Sequence, residues 1–150
     1  MNHKICFFVL GAFVFLANAS NLFAGKTPPD LFLTSQVRDN IFFVKAFEHK
    51  ENKTYLEKIE VRYLIESIRI SPLTFIRNHK VYTGPEAAAH FSRKYAAAGN
   101  RVKNSRDFIE GIAAKSMLSG KPYWVQTATG QTYPLRDILY NELKRLEQSF

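Results

Sequence analysis

LTFIRNHKVYTGPEAAAHFSRKYAAAG, residues 73–99, passes from a side-chain period of two to a period near 3.6 within one uninterrupted run. Leu73 to Arg77 alternates as a strand does and turns at Asn78 and His79, and Val81 with Tyr82 offers a second short strand. Thr83 followed three residues later by Glu86 is a capping box, in which a hydroxyl and a carboxylate each satisfy an amide at the helix start. The helix that it opens ends at Gly99 and aligns Ala87, Phe91 and Tyr95 toward a core.

Upstream, YLEKIEVRYLIESI (55–68) spreads Leu56, Ile59, Val61, Tyr63, Leu64 and Ile68 over more than half of a helical circumference, which predicts a central helix covered on two sides. Ser71 and Pro72 stop it. Downstream, Asn104 with Asp107 starts a helix whose Phe108, Ile109, Ile112 and Ala113 share a face. YWVQT (123–127) reads as a strand, ATGQ as a turn, and Pro134 opens a last helix with Leu135, Ile138, Leu139, Leu143 and Leu146 aligned. Nearer the start, Leu33, Val37, Ile41 and Val44 predict a helix within Leu31–Phe47, although IFFVKAF (41–47) would also serve as a strand, and the polar connector EHKENKT (48–54) follows. The order lacks regular βαβ alternation. It predicts an α+β fold, with a small antiparallel sheet of two or three strands packed against about four helices.

At the N-terminus Lys4 precedes the apolar run ICFFVLGAFVFL (5–16), and Ala17 and Ala19 supply small residues at the spacing that signal peptidase accepts. A membrane-spanning helix needs about 20 apolar residues, so the short run predicts a cleaved signal peptide, residues 1–19, and an exported, periplasmic or secreted chain without a transmembrane anchor. Residues 20–53 then form a partly helical N-terminal extension and residues 54–150 a globular domain. Cys6 leaves with the signal, so no disulfide or lipid-anchoring thiol is expected.

The chain carries 21 basic and 13 acidic residues, a net charge of +8, of which the signal removes one. Most of the excess lies between residues 77 and 106, where Arg77, Lys80, Arg93, Lys94, Arg101, Lys103 and Arg106 face only Glu86. That asymmetry points to an anionic small molecule or envelope polymer as partner, or simply to a solvated basic face. Nucleic acid is not expected, since no stacking-aromatic motif accompanies the cations.

FIRNHKVYTGPEAAAHFSRKY followed by DFIEGIAAKSMLSGKPYWV resembles the YfeK-like family of small exported bacterial proteins, a domain of unknown function. The similarity covers about residues 54–150 and is densest from 75 to 125, where an F-x-R-N turn, an E-A-x-x-H-x-x-x-K helix and S-x-x-S-G-K-P-Y occur in order. It implies a bacterial, periplasmic globular domain, and it implies no activity. The positions that it carries over are Arg77, Asn78, Glu86, His90, Lys94, Ser116, Ser119, Gly120, Lys121, Pro122 and Tyr123. His79 stands where such proteins usually have glycine, so Asn78 is expected to take the left-handed conformation, and Tyr82 stands where they often have histidine.

Glu86, His90 and Lys94 fall at i, i+4 and i+8. They offer either an oriented general acid or base or a polar ladder that supports the helix by about 0.2–0.5 kcal/mol per pair. Arg77 and Asn78 at a strand end can grip a carboxylate or phosphate, and Arg77 can equally bond turn carbonyls. Ser116 or Ser119 with His90 or Lys121 would suit a small hydrolase or transferase, although neither G-x-S-x-G nor S-x-x-K is present. The simpler reading is that Ser119-Gly120 ends a helix and Pro122 starts a strand. Ser119-Gly120-Lys121-Pro122-Tyr123 also fits the S-G-x-x-Y motif of lysozyme inhibitors, yet the basic charge and helical content argue against that interaction module. His49, His79 and His90 lack metal-ligand spacing, so no metal or other cofactor is expected.

Overall fold

The computed structural model describes residues 26–150; the signal-peptide expectation falls on residues outside that range. Helix α1 spans Phe42–Glu48 and α2 spans Lys53–Ile70. A hairpin follows, β1 (Thr74–Arg77) and β2 (Lys80–Tyr82), and then α3 (Gly84–Ala98). The short α4 (Ser105–Phe108) runs on into a π-helical turn at Ile109–Ala113; β3 (Trp124–Gln126), β4 (Thr132–Pro134) and α5 (Leu135–Glu147) complete the chain.

Helix α2 is central, as its sequence demands. Ile59, Val61, Tyr63, Leu64, Ile65 and Ile68 are all buried, and together they occupy more of the circumference than one neighbour can cover, so α1, α3, α4 and α5 all pack on it. Asn52 caps it by accepting the Tyr55 amide. The capping box at Thr83 is formed in both directions, the Glu86 amide donating to the Thr83 hydroxyl oxygen and the Thr83 amide donating to the Glu86 carboxylate. Directly after it, Gly84 lies on the end of α2, where a Cβ would stand 2.5 Å from the Ile68 carbonyl oxygen and 2.8 Å from that of Arg69. Only glycine permits that approach, which fixes α3 against α2.

The sheet is antiparallel throughout in the order β2-β1-β3-β4. Tyr82, Phe75, Val125 and Tyr133 are cross-strand partners in one row on the face turned to the helices. Asn78 and His79 join β1 to β2 with φ of 49° and 65°. Both central residues are left-handed, as a type I′ turn requires, so His79 shares a conformation that only Asn78 was expected to take.

Two counts change. The sheet has four strands rather than two or three, and there are five helices rather than about four among the described residues. The added strand, β4, is three residues long, too short for a period of two to be legible, and it exists because Val125 and Tyr133 pair. The helix expected within Leu31–Phe47 is confined to Phe42–Glu48, after a single 3₁₀ turn at Val37–Asp39. Asn40 is the reason: its side chain donates to the Tyr63 carbonyl (2.7 Å) and to Ser67 Oγ (2.9 Å) while accepting the Phe42 amide, and these tertiary bonds bend the chain. The helix after Asn104 likewise ends at Ala113, not at Ser119-Gly120.

Residues 26–48 are packed onto the body of the protein. Leu33 and Ala46 are fully buried, and the Leu33 amide donates to the carboxylate of Glu142 on α5 (3.0 Å).

Candidate functional site

Where β1 faces α3, the structure holds a cavity of about 420 Å³, bounded by Phe75 and Arg77 of β1, Tyr82 of β2, Glu86, His90 and Arg93 of α3, and Tyr123 and Trp124 at the start of β3. The placement follows from two periodicities. Phe75 and Arg77, two apart on a strand, point to the same face; Glu86, His90 and Arg93 lie at i, i+4 and i+7 of the facing helix.

His90 is the hub. Its Nε2 lies 3.1 Å from the Tyr123 hydroxyl and 3.5 Å from Nη1 of Arg77. With Nε2 as the unprotonated nitrogen, its one lone pair accepts from the Tyr123 hydroxyl, and Arg77 Nη1 is a longer, weaker second donor to it. The neutral imidazole is favoured, because burial and then the charges of Arg77, Lys94 and Arg93 hold it down to about 4. One turn further along α3, the Lys94 ammonium donates to the Ile112 carbonyl and lies 3.5 Å from the Tyr123 hydroxyl, 5.1 Å from the centre of that ring. Burial and the Arg77 charge bring it down to about 8. Burial pushes the Tyr123 phenol up, against the opposing pull of Arg77.

Positive charge is therefore concentrated and unneutralised. None of Arg77, Arg93 and Lys94 makes an ion pair among the described residues. The acid on the wall, Glu86, is engaged at the helix cap, where both the amide and the hydroxyl of Thr83 donate to its Oε2 and lower its pKa. Arg77 Nε is buried without a hydrogen-bond partner. Arg145 Nε shares that condition, but the other Arg145 nitrogens are committed to Glu142 and Thr34, whereas the Arg77 guanidinium has only His90 at 3.5 Å.

Of the residues singled out from sequence, Arg77, Glu86, His90 and Tyr123 meet at the cavity, and Lys94 closes on Tyr123 from behind. Glu86 does not orient His90, so the ladder of Glu86, His90 and Lys94 is not hydrogen-bonded. Asn78, Ser119, Gly120 and Lys121 form a separate cluster at the hairpin turn: Ser119 Oγ donates to Asn78 Oδ1 (2.8 Å), and Lys121 Nζ lies 3.4 Å from His79 Nε2. Ser116 is buried at the base of that loop, its amide bonded to the Lys121 carbonyl. No serine hydroxyl among the described residues is hydrogen-bonded to His90. The basic stretch 77–106 also divides, since Arg101 caps the end of α3 and Arg106 pairs with Glu147. Phe75, Tyr82, Arg93 and Trp124 were missed as wall residues; the i, i+7 relation of Arg93 to Glu86 was a usable signal for one of them.

The sequence model of a family of unknown function, DUF5329, matches residues 55–147. The chain belongs to this family. It is also 37% identical over 51 residues to the uncharacterized protein YfeK of Salmonella typhimurium, a match that covers 34% of this chain and 42% of that protein. No solved structure matches. The DUF5329 region begins after the connector that ends at Thr54 and contains every cavity residue named above.

Proposed function

We propose that this DUF5329 protein is an exported, non-enzymatic domain that binds an anion carrying an apolar body, such as a carboxylate or phosphate ester with an aromatic or aliphatic group. The observation that carries the reading is Arg77: a guanidinium with no carboxylate partner and a buried, unpartnered Nε, on the wall of a cavity of ligand size. Arg93 and Lys94 add to the field, and a guanidinium fork matches two oxygens of such an anion. Phe75, Tyr82 and Trp124 supply apolar wall for the rest of the ligand. Catalysis through a serine would require a base at its hydroxyl; His90 is engaged with Tyr123 and Arg77 instead, and Lys121 Nζ lies against His79.

An anion at Arg77 would stabilise protonated His90. Binding should therefore take up a proton and tighten as pH falls from 6 toward 4. Titration calorimetry with phenyl phosphate and inorganic phosphate, in two buffers of different ionisation enthalpy, tests this directly. Saturable, salt-sensitive binding with proton uptake, stronger for the phenyl ester and lost in Arg77→Ala, is expected; binding unchanged in that variant would overturn the site.

A further inference from the structure

A second surface lies outside the cavity. The chain leaves the core at Lys115 and returns at Pro122, which are paired by an isolated antiparallel bridge. Between them the loop closes on itself, the Gly120 amide donating to the Ser116 carbonyl and the Ser116 amide to the Lys121 carbonyl. Ser119 pins it to Asn78 of the hairpin turn. At the tip of this braced finger Met117 is 73% exposed and Leu118 93% exposed. Two apolar side chains held out by so many polar restraints contribute nothing to the core, so folding stability does not account for them.

Charge indicates what they meet. Between Ser67 and Pro85, and again between Gly111 and Leu135, there is no acidic residue, whereas Lys115, Lys121 and Lys80, the first residue of β2, are exposed and make no ion pair among the described residues. An apolar tip inside a collar of lysines complements a surface with negative headgroups above a hydrocarbon layer. A folded protein partner fits less well, because a projecting tip of two side chains provides little of the area that a specific protein interface buries.

We propose that the 116–121 finger is a docking element for anionic phospholipid, inserting Met117 and Leu118 between headgroups that Lys80, Lys115 and Lys121 contact. Attachment of this kind is reversible and weakened by salt, since neither the apolar tip nor three lysines alone would hold the protein.

The test uses the chain from residue 26 onward, which contains every element described above and lacks the apolar run 5–16 that could bind lipid in its place. Sedimentation with vesicles of phosphatidylcholine mixed with phosphatidylglycerol should retain it, and pure phosphatidylcholine vesicles should not. Leu118→Gln should reduce partitioning by about tenfold and Lys121→Gln by about fivefold, with far-ultraviolet circular dichroism unchanged in both. In a Trp124→Phe background, Leu118→Trp should show a blue-shifted emission on the mixed vesicles. Failure to bind the mixed vesicles, equal binding by Leu118→Gln, an unshifted Leu118→Trp emission, or finger-dependent capture of a protein without lipid partitioning would each overturn the proposal.

Discussion

Glu142, fully buried, and Arg77, half-buried with a buried Nε, are treated in opposite ways. The Glu142 carboxylate is fully buried and saturated: it accepts from the Tyr63 hydroxyl (2.8 Å), the Thr34 hydroxyl, the Leu33 amide and the Arg145 guanidinium. Burial and that carboxylate together drive the Tyr63 phenol upward, which keeps it a donor. Arg77, in contrast, has a neutral imidazole at 3.5 Å and the Tyr123 ring 6.0 Å from its guanidinium carbon, but no anion. A buried charge that has every partner contributes to structure; one left without a counter-charge costs stability unless a ligand completes it.

The largest effect should come from dismantling the saturated centre. Glu142→Ala leaves the Tyr63 hydroxyl and the Leu33 amide without their acceptor and Arg145 without its counter-charge, and should cost about 3 kcal/mol or more in urea unfolding. A loss below 1 kcal/mol would mean that this centre is no more structural than the other. Leu33→Ala, in the segment that precedes the family match, should cost about 2–3 kcal/mol, because Leu33 is fully buried and its removal leaves a cavity. A negligible loss would show that residues 26–53 add little to the stability of the globular domain.

Arg77→Ala should behave in the opposite sense, with stability changed by no more than about 1 kcal/mol but anion binding lowered at least tenfold. It should also raise the His90 pKa, measurable by nuclear magnetic resonance titration, since Arg77 is the largest charge contribution depressing it. The pH dependence follows from that depression. Because the folded His90 titrates near 4 and the unfolded chain near the ordinary histidine value, the unfolded state binds more protons between those limits. His90 thus contributes stability that is present above about 6.5 and lost as pH falls toward 4, on the order of 1 kcal/mol after solvent screening. Phosphate should shrink that loss, and His90→Gln should remove it; an unchanged acid limb in His90→Gln would assign the loss to other groups.

The smallest effect concerns the turn that ends β1. His79 holds a φ of 65°, so His79→Gly should raise stability by about 0.5 kcal/mol while leaving anion affinity unaltered. A loss of affinity would show that the imidazole, near Lys121, reaches the site.

Features built from near neighbours were legible in the sequence. The capping box at Thr83 and Glu86, the stop at Ser71-Pro72, the stripe of Leu135, Ile138, Leu139, Leu143 and Leu146, and the broad buried face of α2 follow from spacings of three and four, which the helix itself enforces. The left-handed conformation of Asn78 was expected only through the family resemblance, and His79 adopts it as well. Tertiary structure decided the rest. Strand β4 exists by pairing with β3, and Asn40 ends a helical pattern by bonding residues 23 and 27 positions away. Glu142 reads as one polar position on an amphipathic helix until the Leu33 amide, 109 residues distant, reaches it. The site divided in the same way. His90 and Arg77 could be named as candidates, but their meeting with Tyr123, 33 residues beyond His90, and the separation of Ser119 from all three depend on β1 pairing between β2 and β3. Local spacing sets which face a side chain occupies, and only the packing of distant elements sets what that face meets.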